Sequence, residues 1–120
     1  MLLGALDAAL TRDREAVVRY MKSGFTGLSF DACDMLENYM LMWDINGSRL
    51  EENWTMSTRG TIGEREELKE QRLRELNESR QILMRPLLRL RSALMKAEST
   101  AQMILGLNTF MEDIQLNEQL

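Results

Sequence analysis

Apolar residues along this chain recur at intervals of three and four, strict alternation is absent, and β-branched residues are sparse. That periodicity predicts helices throughout. The first, about Leu2 to Leu10, places Leu3, Leu6 and Leu10 on one side. The second, about Arg14 to Lys22, is capped by Thr11 or Asp13, buries Val17, Val18 and Met21, and stops at Gly24. A turn with the apolar anchors Phe25 and Leu28 follows. Ser29 caps a third helix running to about Asp44, in which Phe30, Cys33, Leu36, Met40 and Trp43 form a buried stripe. Asn46-Gly47 reads as the C-cap of that helix, since no strand-like run flanks it to make a hairpin.

Ser48 to Gly63 is a long loop, pinned to the core by Trp54 and Met56, with a mobile tip at Ser57 to Thr61. Glu64 to Ala97 reads as one long helix. A heptad count from Lys69 meets Leu73, Leu76, Leu83, Leu87, Leu90, Leu94 and Ala97, broken only by Arg80. Met84, Leu88 and Met95 widen the stripe, which points to packing inside a globule. Pro86 lies within it, so a kink or break is expected near Ile82 to Pro86. Ser99 or Thr100 caps a last helix to about Ile114, with Met103, Ile104, Leu107 and Phe110 inward. The expected fold is all-α: about five helices in a compact lobe around one long kinked helix, residues 1–120 forming one domain.

Composition narrows the chemistry. With no His and one Cys in 120 residues, neither a Ser-His-Asp nor a Cys-His nucleophile can be built. His-based zinc sites and disulfides are equally out of reach. No Gly-x-x-x-x-Gly-Lys-Ser/Thr phosphate loop occurs. Asp31, Asp34 and Glu37 stand three apart near a helix start and read as a solvated face, so no metal site is expected. There is no signal-like N-terminus and no apolar run long enough to span a bilayer, so a cytoplasmic protein without membrane contact is expected.

Charge is uneven. The net charge is −4, yet Glu64 to Glu98 carries nine basic and seven acidic residues, and Ser79 to Ala97 carries five basic and no acidic ones. Arg80, Arg85, Arg89, Arg91 and Lys96 therefore form the candidate nucleic-acid-binding set, their cations suited to backbone phosphates. The bland alternative is a solvated or ion-paired helix face. Ten Met residues raise the same question between adaptable interface and core filling, and core is the commoner use.

The run Arg19-Tyr20-Met21-Lys22-Ser23-Gly24-Phe25-Thr26-Gly27-Leu28-Ser29, followed by Leu36-Glu37-Asn38-Tyr39, resembles the RYLKTGLTGLS…LENY segment of the AddB/RexB family. Asn46-Gly47-Ser48 with Trp54, Leu76-Asn77-Glu78-Ser79-Arg80, Arg85-Pro86-Leu87-Leu88 and Phe110-Met111-Glu112 fit further short stretches of that family in the same order. These are B subunits of bacterial ATP-dependent helicase–nucleases. The resemblance implies a piece of a larger protein, similar to the all-helical accessory (2B-type) insertion of a helicase-like core. It implies a parent that pairs with an AddA/RexA-type subunit and resects double-strand DNA breaks for recombinational repair, using ATP, magnesium and an iron–sulfur cluster. None of the corresponding catalytic or cluster residues is present, so the fragment itself is expected to hold no cofactor. The competing expectation is a helical interaction module that dimerises through the Leu73 to Leu94 seam.

Overall fold

The computed structural model describes residues 2–24, 26–56 and 66–119. Five helices follow one another: α1 (Leu2–Thr11), α2 (Arg14–Met21), α3 (Phe30–Met42), α4 (Glu66–Lys96) and α5 (Thr100–Gln119), with a short 3-10 turn at Gly47–Glu51. No strand occurs among the described residues. The fold is all-α, as the periodicity predicts. At about 1.5 Å per residue α4 is about 46 Å long, and it sets the long dimension of a 54 × 28 × 20 Å molecule. α1, α3, α5 and the 3-10 turn all pack on it.

The leucine seam is spent inside the chain. Leu76, Leu83, Leu87 and Leu90 are buried, with Leu73 and Leu94 partly so. They meet Val17, Tyr20 and Met21 of α2, Leu36, Tyr39 and Met40 of α3, and Phe110 and Ile114 of α5 in one core. A dimer through this seam would first have to strip those helices away. Pro86 does not break α4, which is continuous from Glu66 to Lys96. The ring is buried, while Ile82, whose carbonyl loses its donor, is exposed and can bond to water instead.

Three expected stripes hold only in part: Leu6 of α1, Cys33, Leu36, Met40 and Trp43 of α3, and Leu107 and Phe110 of α5 do pack in the core, wholly or partly, while other members face water. In α1 the buried face is Ala5, Ala8 and Ala9, while Leu3 is 83% exposed and Leu10 about half. The small side chains let α1 lie close against both α2 and α4. In α3, Leu36, Tyr39 and Met40 are inward and Phe30, at the first position of the helix, is 82% exposed. In α5, Met103 and Ile104 face outward, and Gly106, Phe110 and Ile114 face inward.

The caps also differ in part. Ser29 accepts from the Ala32 amide, and Ser99 accepts from Gln102 while the Gln102 side chain accepts from the Glu98 amide. At α2, however, the Asp13 side chain makes no cap bond; Asn46 reaches across and accepts from the Arg14 amide at 2.8 Å. α3 ends earlier than expected, with Asp44 in the left-handed region at φ 49° and Ile45 bonding back to the Met40 carbonyl. Asn46 instead starts the 3-10 turn. Gly24 does take the left-handed conformation, at φ 88°. The Phe25 anchor and the Ser57 to Thr61 tip lie outside the described residues.

Candidate nucleic-acid interface

α4 carries all five candidate cations, but a helix advances about 100° per residue, which splits them into two groups. Arg85, Arg89 and Lys96 lie within about 40° of one another. Arg80 and Arg91, eleven residues apart, share a different line about 150° round the helix from the middle of the first group.

The second group is used up within the fold. Arg80 is buried, at 4% exposure. Its Nη1 donates to the Leu50 carbonyl at 3.2 Å, its Nη2 to Asn53 Oδ1 at 3.0 Å and its Nε to Asn77 Oδ1 at 3.2 Å. The Arg80 guanidinium stands over the Trp54 ring, 5.9 Å from its centroid, and Tyr39 stacks on that ring at 4.7 Å. Asn77 completes the clasp, accepting from the Trp54 amide and donating to the Trp54 carbonyl. Burial pushes the guanidinium pKa down. The Trp54 pin expected from the sequence is therefore real, and Arg80 is part of it. Met56 is pinned through its backbone, bonded to the Tyr39 hydroxyl, while its side chain is exposed. Arg91 bonds to the Ala9 and Leu10 carbonyls at the end of α1, satisfying acceptors that the helix leaves open there.

The first group faces water. Arg85, Arg89 and Lys96 are exposed. Arg89 bonds Asp113 of α5 at 3.2 Å, yet its side chain remains 62% exposed. A groove of about 560 Å³ runs along this face. Its floor is Met84 and Leu88, Arg85 and Arg89 stand along it, and Gln81, Asn53 and Ser92 add polar edges. Glu51 also lines it, with its carboxylate engaged by Arg12. The groove thus gathers the exposed guanidiniums of Arg85 and Arg89, with the buried Arg80 also in its lining, and side chains able to donate hydrogen bonds.

Sequence reasoning missed Asn53 and Gln81 because neither carries charge. The inward turn of Arg80 was signalled by its place in the leucine heptads, and the shared fate of Arg80 and Arg91 by their eleven-residue spacing. Glu37, in the acidic trio of α3, is bridged to Lys22 at 2.8 Å. Among the described residues no three His, Cys, Asp or Glu come together as metal ligands. No helix among them is long and apolar enough to cross a membrane.

No family model matches this sequence, and no solved structure matches it. Curated relatives do. The B subunit of an ATP-dependent helicase/deoxyribonuclease from Clostridium acetobutylicum is 33% identical over 108 residues, 87% of this chain and 9% of that protein. The B subunit of the same name from Ruminiclostridium cellulolyticum is 31% identical over 110 residues, 88% of this chain and 10% of that protein. That of Acetivibrio thermocellus is 40% identical over 81 residues, 64% of this chain and 7% of that protein. The chain spans about a tenth of the length of the first two relatives. In sequence it is therefore homologous to one segment of the ATP-dependent helicase/deoxyribonuclease B subunits, the AddB/RexB-type proteins that its motifs resemble.

Proposed function

We propose that this chain is a non-catalytic helical subdomain of a helicase/deoxyribonuclease B subunit that acts in double-strand break repair by homologous recombination. In this reading it is an accessory, 2B-type lobe that holds duplex DNA in place while other parts of the protein hydrolyse ATP and cleave. ATP, magnesium and the iron–sulfur cluster belong to those other parts and to an AddA/RexA-type partner, in the cytoplasm.

The observation that carries the DNA contact is the placement of Arg85 and Arg89. They stand one turn apart, about 6 Å along the helix axis, exposed along a groove. Two guanidiniums so placed can take neighbouring phosphates, and contact of this kind is sequence-independent. Lys96 extends the line toward the end of α4. Arg80 and Arg91 serve instead to hold the lobe together.

The test is duplex binding by the chain across a salt series. Charge reversal of Arg85 and Arg89 together should weaken binding and lower the salt slope by about two. Unchanged affinity and slope would reject the DNA contact. A second reading, contact with the partner subunit, is favoured by the exposed apolar side chains Ile104 and Leu105 on α5. Loss of heterodimer assembly on Leu105→Asp, with DNA binding intact, would support it.

A further inference from the structure

The Arg80 clasp does more than fasten a loop, because one of its acceptors also borders the groove. Asn53 lines the groove beside Arg85 and Gln81, and its Oδ1 accepts from Arg80 Nη2 at 3.0 Å. A guanidinium has only donors, so the end of the amide facing it must be the oxygen. The other end, Nδ2, is a donor. Arg80 is buried and held at two further points, the Leu50 carbonyl and Asn77 Oδ1, so it is not free to follow a turning Asn53. The amide oxygen is therefore held on Arg80, which leaves Nδ2 as the end of this exposed, groove-lining side chain that can serve a ligand.

Most of the surrounding side chains can donate, although Arg89 is also bonded to Asp113. Arg85 and Arg89 offer only donors, and Ser92 can donate. The acidic side chain of the lining, Glu51, is neutralised by Arg12. A ligand entering here meets donors on several sides, which suits a non-bridging phosphodiester oxygen. We propose that Asn53 is a further phosphate-contacting residue of this groove and that Arg80 is the positioning residue that fixes the Asn53 amide with its donor outward. The proposal rests on the DNA-contact reading above and names a ligating group and a positioning group within it.

Asn53→Asp provides the test. The carboxylate still accepts from Arg80, and a buried guanidinium gains a counter-ion, so thermal stability should be kept or raised. The outward donor, however, becomes an acceptor that repels phosphate. Duplex affinity at fixed salt should fall at least about tenfold, the scale of one hydrogen bond to a charged group. A general charge effect is subtracted with Asn108→Asp on the exposed side of α5, which adds the same charge away from the groove. Equal losses in the two variants would overturn the role of Asn53. Arg80→Lys keeps the cation and loses the fork; it should lower affinity and stability together, and unchanged affinity in that variant would overturn the positioning role. If the Arg85 and Arg89 reversal weakens binding while Asn53→Asp matches its control, the groove reading stands and this inference fails. If the Arg85 and Arg89 reversal has no effect, the groove reading itself fails.

Discussion

Gly106 of α5 faces Ala93 of α4 so closely that a Cβ on the glycine would lie 2.9 Å from the alanine Cβ. This near-contact fixes how α5 is rotated about its own axis. Ile104 stands about 160° round the helix from Gly106, which is why it is exposed although its spacing marks it as apolar core. The neighbouring atom belongs to a short side chain fixed to a helix backbone and cannot swing aside. Gly106→Ala should therefore cost about 1–2 kcal/mol, despite the gain of about 1 kcal/mol in helix propensity. The Ala93→Gly, Gly106→Ala double variant should recover part of that loss. Urea unfolding of the single and double variants measures both; a more stable Gly106→Ala would show that the helices are not in fixed contact there.

The Arg80 clasp should be the most sensitive polar point in the lobe. Arg80→Met keeps much of the aliphatic stem but leaves the Leu50 carbonyl and the Asn53 and Asn77 oxygens without this donor. It also removes the cation over Trp54. The expected cost is about 2–4 kcal/mol, since several acceptors lose a charged donor at once. Heat unfolding reads the loss, and Trp54 fluorescence reads the release of the loop. An Arg80→Met chain as stable as the parent would mean that Asn77, the Arg49 carbonyl and the Tyr39 ring hold Trp54 without it.

These two sites also show what the sequence could convey. Helix number and type were legible because five periodic runs leave little choice, and so was the interior of α4, where six leucine heptad positions agree. Facing was not legible wherever backbone distance, not hydrophobicity, chose the buried side: Ala5, Ala8 and Ala9 displace Leu3 and Leu10 because only small residues allow α1 so near α4. Pro86 reads as a break when local propensity is weighed without the core on one side and water on the other. In the candidate interface, charge alone grouped five cations; helical angle then divides them. Asn53 stayed hidden because its amide has meaning only beside Arg80.

Tyr20 gives the lobe an alkaline limit. Burial, and secondarily the nearby Asp113 carboxylate, push its pKa well above the ordinary value. Below a pH of about 10, the ordinary phenol value, folded and unfolded chains both keep the proton and the full stability is present. Above it the unfolded chain releases the proton and the folded chain retains it, so stability falls as pH rises, by up to about 1.4 kcal/mol per pH unit for one such group. Tyr39 is shifted in the same direction, mainly by burial. Tyr20→Phe should flatten the alkaline slope and leave the neutral range nearly unchanged. The check is unfolding free energy against pH, with tyrosinate absorbance followed in parallel; an equally steep slope in Tyr20→Phe would place the limit elsewhere.

Arg91 and Arg85 should part company in a paired experiment. They are six residues apart on one helix and carry the same charge, so a purely electrostatic account predicts similar effects on DNA binding. The structure separates them. Arg91 holds the Ala9 and Leu10 carbonyls at the end of α1, whereas Arg85 is exposed along the groove. Arg91→Met should cost about 1–2 kcal/mol of stability, because two carbonyls at a helix end lose a charged donor. Its salt slope for duplex binding should stay within the error of the parent. Arg85→Met should be within about 0.5 kcal/mol of the parent in stability, as befits an exposed site. Its salt slope should drop by about one, the signature of one lost phosphate contact. Thermal unfolding and a salt series on the same two proteins decide the matter; equal slope losses would mean that the strip acts as a diffuse field, with no division between its faces.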